Sequence, residues 1–483
     1  MQELFAQELR VANVGLTGFA ENLRHAGGQV VELDWRPPAD GDIEAGRALA
    51  GLVNDARVEQ ANRIAFARYL DAQPVLIDVL TAGQAIAALH GEQRILHAGP
   101  PIAWAEMCGP MQGAIVGAML YEGWAHSAEV AEVMAAGGQV AFEPAHHHHA
   151  VGPMAGIISP SMPLWVVENS VTGDRTFCNF NEGLGKVLRF GANTPAVIER
   201  LAWMGTELFE VVRAAVAQIG GLELKPLLAR ALHMGDECHN RNAAATALLC
   251  KHLLPAMLSD GSPMDALRRV TDFIMGNDHF FLNVSMAACK SMLDAAAGVA
   301  HSSMVTVMAR NGVNFGIQVS GTGEEWFQAP ANPVDGLFFP GYNVQDAAAD
   351  LGDSAITETA GLGGFAMAAA PAIVQFVGGT PADATAHSRR MHTITLGTNP
   401  AFTLPALDFG PTAAGIDARA VADSGVLPII NTGIAHRHAG VGQIGAGITT
   451  APMGCFVAAI NALSQRRRAD PDHDPTGLLP ADA

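Results

Sequence analysis

Residues 304–319, MVTVMARNGVNFGIQV, have the strongest β-hairpin pattern in the chain, and this pattern is central to the predicted fold class. Two apolar, β-branched runs flank Asn311-Gly312, a dipeptide that favours a tight hairpin turn because both positions tolerate positive φ. Upstream of this hairpin, helical patterns dominate residues 194–300. Downstream, strands are predicted at 336–339 and 426–430, with a glycine-rich helical piece at 361–374. The chain is therefore predicted to be α/β in class, a mixture of α/β and α+β regions around a central helical insert.

Residues 164–167 and 176–178 flank Thr172-Gly173-Asp174 and predict a second hairpin. Residues 9–34 have the pattern of a βαβ unit, with strands at 9–14 and 30–33 and a helix over 18–26 that Thr17 caps. A helical pattern then covers residues 43–71. Gly15 stands alone at the first turn, so the dinucleotide-binding pattern G-x-G-x-x-G is not met.

These patterns divide the 483 residues into several domains, as expected at roughly 150 residues per domain. We expect a Rossmann-like domain over 1–88, an α+β domain over 89–193 and a mainly helical domain over 194–300. A second α+β domain with a glycine-rich loop follows over 301–464, and a mobile polar tail over 465–483.

The composition excludes several functional classes. Only 16% of residues are charged, 49% are hydrophobic, and the net charge is −19, which argues against binding nucleic acid or an anionic membrane. The most apolar run, residues 366–377, is shorter than the roughly 20 residues of a membrane span. No signal peptide is visible and the six cysteines are widely spaced, so a cytoplasmic location is predicted.

Low charge also favours a homo-oligomer. Gly109, Gly113 and Gly117 fall at four-residue spacing along a helix predicted over roughly 111–122, which places three glycines on one stripe where another backbone can approach closely. A large core inside a monomer is the alternative explanation.

Two motifs in the first half of the chain contain candidate functional residues. His146-His147-His148-His149 is one, with His147 as a candidate proton carrier; neighbouring side chains diverge, so all four cannot bind one metal. The other is NFNEGLGK at 179–186, whose glycines and cations suit an anion. Its candidate binding residues are Asn181, Glu182, Lys186 and Arg189, although a turn into an amphipathic helix with exposed cations explains the same pattern.

The motif GDECHNRN at 235–242 opens a helix that runs through 243–250. Asp236 suits its N-cap, and Glu237 suits the positive end of the helix dipole or an ion pair with Arg241 four residues on. His239, Arg241 and Asn242 crowd the same turns, so the motif offers an acid, a base and a guanidinium group.

Near the C-terminus, a strand leads through His436 into the glycine-dense segment 440–447. This arrangement predicts backbone N–H groups facing an oxyanion, and a buried tight loop is the alternative. The candidate binding residues here are Asn431, Thr432, Gly433 and Gln443. Arg310 at the hairpin tip, Glu358 before a glycine cluster, and residues 277–279 are weaker candidates.

Seven motifs, in order, resemble the YlbE/YahG/AllG family over about residues 90–460. They are LHAGPPIAWAEMCGPMQGAIVGA, HHHHAVGPMAGIISPSMP, NEGLGKVLRFGA, MGDECHNRN, NDHFFLN, GDSAITETAGLGGFAM and INTGIAHRHAGVGQIGAG. The opening VANVGLTGFAENLRHAGGQVVELDWRPPADGD resembles a segment of FdrA-type proteins, and the whole looks closer to the YahG branch.

The resemblance implies a subunit of an oxamate carbamoyltransferase, which works with FdrA-like and AllH-like proteins. That system phosphorolyses oxalurate, a ureido acid, to oxamate and carbamoyl phosphate, and a carbamate kinase then uses the carbamoyl phosphate. The carbamoyl acceptor of the YahG branch stays open. The resemblance supplies no catalytic residues, and it leaves a non-catalytic scaffold subunit and a ureido-acid hydrolase as alternatives.

Phosphorolysis of a ureido group needs cations for phosphate, donors for an oxyanion and an acid for the leaving nitrogen. Lys186, Arg189 and Arg241 are candidates for the first role, and the backbone of 440–447 for the second. For the acid, we expect at least two of the loops that carry His147, His239 and His436 to meet in one cleft. His239 is the first choice, oriented by Asp236. No cofactor is required, and a metal at Asp236 and His239 stays open.

Overall fold

The computed structural model describes residues 10–33, 35–259 and 261–469. Its strands are β1 (Arg10–Val14), β2 (Gln29–Leu33), β3 (Pro74–Thr81), β4 (Arg94–His97), β5 (Ala141–Pro144), β6 (Ala150–Val151), β7 (Pro163–Asn169), β8 (Arg175–Asn179), β9 (Leu222–Glu223), β10 (Val305–Asn311), β11 (Asn314–Val319), β12 (Phe327–Pro330), β13 (Asp335–Phe338), β14 (Leu351–Gly352), β15 (Thr395–Leu404), β16 (Gly410–Ile416), β17 (Ile429–Ala435) and β18 (Gln443–Thr450).

The α-helices lie between and after these strands. They are α1 (Thr17–His25), α2 (Ile43–Leu52), α3 (Ala56–Asp71), α4 (Ala82–Ala85), α5 (Gly109–Tyr121), α6 (Ala128–Ala136), α7 (Pro195–Trp203), α8 (Phe209–Ile219), α9 (Leu224–His233), α10 (Ala243–Ser259), α11 (Met264–Met275), α12 (Leu282–Asp294), α13 (Ile356–Thr359), α14 (Val374–Val377), α15 (Pro381–Arg390), α16 (Ala418–Ser424) and α17 (Met453–Ala469).

The mixed α/β class is confirmed, and so is the hairpin that predicted it. Strands β10 and β11 pair antiparallel around Asn311 and Gly312, and Gly312 takes a φ of 79°. They form the centre of a four-stranded sheet ordered β12-β11-β10-β14. Helices α7 to α12 fill the region predicted as helical, and β7 pairs with β8 as the second predicted hairpin.

The other sheets place strands from distant parts of the chain side by side. A five-stranded sheet has the order β6-β8-β7-β3-β9, and a three-stranded sheet has the order β13-β18-β17. The largest apolar cluster extends from Ala61 to Ala414 and contains Tyr69 and Trp165. The predicted domain boundaries stay predictions. Helix α17 extends through Ala469, and residues 470–483 of the predicted tail lie outside the described residues.

The N-terminal βαβ unit is present, with β1 and β2 parallel and α1 between them. Helix α1 begins at Thr17 itself, with Leu16 at the N-cap position, so the predicted Thr17 cap is wrong. The single helical pattern over 43–71 is two helices. Asp55 separates them, because its carboxylate accepts the N–H of Arg57 and caps α3.

The glycine stripe of α5 packs inside the same chain. A Cβ at Gly113 would lie 2.4 Å from the carbonyl oxygen of Gly191, and one at Gly109 would lie 2.6 Å from that of Arg437. The stripe therefore lets two loops of this chain approach the helix, and it gives no support for an interface between copies.

Two expectations about the candidate loops are wrong. The glycine-dense segment 440–447 is mostly strand β18, whose glycines let β13 lie close: a Cβ at Gly445 would meet the carbonyl oxygen of Leu337 at 2.3 Å. The helix expected from residue 236 begins only at Ala243. Within the described part of the chain, no helix is both long and apolar enough to cross a bilayer.

Candidate active site

Segments that are far apart in sequence meet at a small cavity of about 20 Å³. Its walls come from the loop before α10, the hairpin of β17 and β18, and the turns near residues 153, 189, 279 and 354. The lining residues are Pro153, Met154, Arg189, Phe190, His239, Asn240, His279, Leu282, Ser354, Thr432, Gly433 and Gln443. We call it the inner cavity.

A wider cleft of about 340 Å³ adjoins the inner cavity, because Asn240 and His279 line both. We call it the outer cleft, and its other lining residues are Leu184, Arg241, Asn242, Ala243, Gly276, Asn277, Asp278, Ala372 and Gln375. A larger groove of about 770 Å³ lies between β13, β18 and α14–α15. Since that groove contains no lysine or arginine, it suits anionic substrates less well than the inner cavity and outer cleft.

His239 is held by a carboxylate. Its ring Nδ1 lies 2.8 and 3.0 Å from the two carboxylate oxygens of Glu358, and both side chains are buried. Glu358 is fixed in turn by hydrogen bonds from the hydroxyl of Thr357 and the N–H of Gly364. This contact fixes the ring and leaves Nε2 as the nitrogen available to a ligand, an arrangement that suits proton transfer.

A second carboxylate, Glu237, supports the same loop. Its oxygens accept the N–H groups of His239 and Arg241, so the turn before α10 folds around it. Burial, reinforced by the negative charge of Glu358, raises the pKa of Glu237 to about 7. The predicted ion pair between the Glu237 and Arg241 side chains is therefore replaced by a backbone contact.

Arg310 fixes the opposite wall. Its buried guanidinium makes two hydrogen bonds to Asp350 and others to the carbonyl of Gly352 and the hydroxyls of Ser354 and Thr432. Ser354 and Thr432 line the inner cavity. Arg310 therefore positions Ser354 and Thr432 in the cavity wall, and its charge is not available to a ligand at the hairpin tip, contrary to the sequence prediction.

Arg189 brings a positive charge to the inner cavity. The residue is 6% exposed, one Nη2–H donates to the carbonyl of Gly183 at 2.7 Å, and Nε has no partner. Burial lowers its pKa to about 10, which keeps the guanidinium charged at neutral pH. Burial and the charge of Arg189 lower the pKa of His279 to about 3, so His279 is neutral there.

Polar groups also line the junction with the outer cleft. Asn242 donates to the carbonyl of His239 at 2.6 Å, and Nδ2 of Asn240 is buried without a partner. Arg241 is exposed, and its Nε donates to the carbonyl of Gly235. Cations and unpaired donors therefore extend from the inner cavity into the outer cleft.

Several other candidates serve the structure around the cavity. Asp236 accepts the N–H of Ala245 at the start of α10, so the orienting role expected of it belongs to Glu358. Asn181 bonds to Asn283 and to the N–H of Gly183, and the Glu182 carboxylate accepts the N–H groups of Leu188 and Arg189. Asn431 lies behind the cavity, where its N–H approaches Glu358.

The remaining candidates lie outside the inner cavity and the outer cleft. His147 is exposed, and its Nε2 accepts the indole N–H of Trp326. His436 accepts the N–H of His438 at the β17–β18 turn, and Lys186 is exposed. The β17–β18 hairpin does meet the His239 loop, but it contributes Thr432 and Gly433 from β17 and Gln443 from β18 to the cavity in place of His436.

The four consecutive histidines diverge, as their adjacency predicts. His146 faces Asp353, His148 bonds to Glu143, and His149 bonds to Asp294. Among the residues described, no three histidine, cysteine, aspartate or glutamate side chains group as ligands for a metal ion.

Three residues of the site are weak or absent among the candidates predicted from the sequence: Glu358 and His279 are weaker candidates, and Asn240 is not a candidate. Glu358 stands before Gly361, Gly363 and Gly364, and a carboxylate in a glycine-rich turn is a recognisable sign of a buried acid that accepts backbone N–H groups. Its pairing with a histidine 119 residues away has no local signature.

The fold and the site define a mixed α/β protein with a buried histidine–carboxylate pair beside an arginine. The family described as "Oxamate carbamoyltransferase subunit AllG" matches residues 140–354. Over 470 residues the chain is 46% identical to the uncharacterized protein YahG of Escherichia coli K12, covering 96% of this chain and 99% of the relative. Over 410 residues it is 47% identical to the oxamate carbamoyltransferase subunit AllG of the same organism, covering 84% and 98%.

A solved structure is also similar, a conserved protein of unknown function from Enterococcus faecalis V583. It superposes with a TM-score of 0.83 at 46% identity, covering 85% of this chain and 98% of that one. The chain belongs to the YahG/AllG family. Its homology to AllG relates it to carbamoyltransferases, and the FdrA-like character of the N-terminal segment stays a prediction.

Proposed function

We propose that this chain is the carbamoyl-transferring subunit of an enzyme that phosphorolyses a ureido acid such as oxalurate. The observation that carries the proposal is the buried His239–Glu358 pair beside Arg189, in a chain 47% identical to a protein named as a subunit of oxamate carbamoyltransferase. The products are carbamoyl phosphate and an acid that carries the released amide or amine group, which is oxamate when the substrate is oxalurate.

The chemistry assigns one proton transfer to His239. An oxygen of hydrogen phosphate attacks the carbamoyl carbon, and the bond from that carbon to the ureido nitrogen breaks. His239 takes the proton from phosphate and delivers it to the leaving nitrogen, so the reaction is balanced without another reactant. Glu358 holds the ring and stabilises its protonated form.

Asn240 and Arg241 supply the remaining functions. The buried, unpaired Nδ2 of Asn240 is a donor suited to the oxyanion on the carbamoyl carbon. Arg241 in the outer cleft offers a charge to phosphate. Residues 443–447 are not proposed for the oxyanion, because β18 pairs with strands on both sides. The reaction uses phosphate as a substrate and needs no cofactor in this scheme.

The assembly around this chain is also a proposal. We infer an FdrA-like partner and an AllH-like subunit, a carbamate kinase that consumes the carbamoyl phosphate, a homo-oligomeric state and a cytoplasmic location. A scaffold subunit without catalysis and a ureido-acid hydrolase are the alternatives, and the cavity with its acid–base pair favours catalysis over a scaffold.

The test is carbamoyl phosphate formation from oxalurate and related ureido acids by the purified chain, with and without an FdrA-like partner. The proposal predicts product formation that depends on phosphate. Ureido-acid cleavage without phosphate would identify a hydrolase. A partner that is fully active without this chain, and no faster with it, would identify a non-catalytic subunit.

A further inference from the structure

The charge of Arg189 lacks a counter-charge in direct contact. Among the described residues, no carboxylate forms an ion pair within 4 Å of its guanidinium, although the residue is only 6% exposed. Glu182 acts on the guanidinium from a greater distance, and its two oxygens accept the N–H groups of Leu188 and Arg189. A buried cation is costly unless an anion pairs with it, so the site is built for an anionic ligand.

The size of the inner cavity limits which anion fits. About 20 Å³ takes one small group of a ligand, whereas the adjoining outer cleft of about 340 Å³ has room for the rest of it. A planar carboxylate matches the fork of a guanidinium with two parallel hydrogen bonds. Phosphate is bulkier and tetrahedral, and the outer cleft with the exposed Arg241 suits it better.

We propose that Arg189 binds the carboxylate of the carbamoyl acceptor, and that phosphate binds separately in the outer cleft at Arg241. The inference rests on the proposed function and names the acceptor class, a small acid whose carboxylate lies near its amide nitrogen. Arg189 and His239 line the inner cavity, and Asn240 lines both the inner cavity and the outer cleft. The carboxylate of the acceptor therefore lies at Arg189, and its remaining atoms extend past His239 into the outer cleft, with the leaving nitrogen on the His239 side.

The experiment is equilibrium binding of oxamate, its neutral analogue oxamide, and inorganic phosphate to the full chain, with its partner present if the complex is required. Arg189→Gln is expected to weaken oxamate binding about 10- to 150-fold, the loss of hydrogen bonds to a charged group, and to leave phosphate binding unchanged. Arg241→Gln is expected to do the reverse. Oxamide should bind the unmodified chain far more weakly than oxamate does.

Two controls keep the test decisive. Arg268→Gln removes an exposed arginine from α11 and should change neither affinity. Arg189→Lys keeps the charge but loses the fork, so it should weaken oxamate binding even if Arg189→Gln fails to fold.

Equal oxamate affinity in the unmodified chain and the Arg189 variants, equal affinity for oxamide, or no oxamate binding at all would overturn the inference. Because binding needs no turnover, the two proposals fail separately. Oxamate binding through Arg189 without phosphate-dependent transfer would refute only the proposed function. Transfer that is indifferent to Arg189 would refute only this inference.

Discussion

At the scale of single residues, the proposed reaction depends on a histidine whose ring has one fixed orientation. His239 and Glu358 are both buried, and each contact that Glu358 makes to Thr357 and Gly364 restricts the carboxylate. Because few water molecules compete inside a protein, such a pair orients the ring more firmly than an exposed pair would.

Glu358→Gln tests the orienting role. An amide facing Nδ1 donates where the carboxylate accepts, which favours the wrong tautomer of His239 and removes the charge that stabilises its protonated form. We expect kcat to fall about 10²- to 10⁴-fold with little change in KM for phosphate. Steady-state kinetics measure this, and an unchanged kcat would mean that Glu358 has only a structural role.

The raised pKa of Glu237 predicts that the stability of the fold depends on pH. Its pKa rises from the ordinary 4.5 to about 7 on folding, so the folded chain binds an extra proton between these values. The stabilisation is complete below pH 4.5 and is lost as the pH rises through about 7. Thermal unfolding of the unmodified chain and of Glu237→Gln is measured at about pH 5 and about pH 8, on either side of the raised pKa. The Tm of the unmodified chain should fall relative to the Tm of the variant when the pH is raised from about 5 to about 8. A Tm difference independent of pH would contradict the raised pKa.

At the scale of elements, local sequence patterns predicted the structures that local interactions determine, such as tight turns and hairpins. The Asn311-Gly312 turn and its flanking apolar runs produced the β10–β11 hairpin. The polar motif around His239 was singled out from the sequence, but the helix it was expected to open begins only at Ala243. The segment 443–447 was misjudged because glycine usually indicates a loop. Here Gly445 and Gly447 make room for the neighbouring strand β13, a requirement that only the tertiary fold reveals.

The packing of α5 gives a prediction with an internal control. In Gly113→Ala the new methyl group would clash with the carbonyl oxygen of Gly191 at 2.4 Å, and we expect a loss of about 1–3 kcal/mol. A Cβ at Gly46 in α2 would meet no other atom within 4 Å, so Gly46→Ala should gain about 0.5–1 kcal/mol from helix propensity. Urea unfolding measures both. A neutral Gly113→Ala would show that the contact is loose.

At the scale of the whole molecule, the site is assembled from residues between Pro153 and Gln443. Each motif was visible separately, but no local pattern determines which ones meet. The pairing of His239 with Glu358, and the exclusion of His147 and His436, depend on how the sheets and α10 pack together. For this reason the sequence predicted the candidate motifs better than it predicted their partners.

The N-terminal βαβ unit packs little against the rest of the described chain. Strands β1 and β2 and helix α1 pack chiefly on one another, and Val31 and Leu33 are 64% and 47% exposed. A chain that begins at Arg36 is therefore expected to keep its Tm within about 2 °C, as measured by calorimetry. A fall of Tm well beyond this range would show that the unit stabilises the remaining fold.

The most direct test of the central claim compares three histidines in one assay. The variants His239→Asn, His147→Asn and His436→Asn are assayed for phosphate-dependent carbamoyl transfer, after unfolding curves show that each retains its fold. The account predicts a fall in turnover of about 10²- to 10⁴-fold for His239→Asn alone, because His239 is the one of the three that lines the inner cavity. Full activity of His239→Asn, or an equal loss in either of the other two variants, would contradict it.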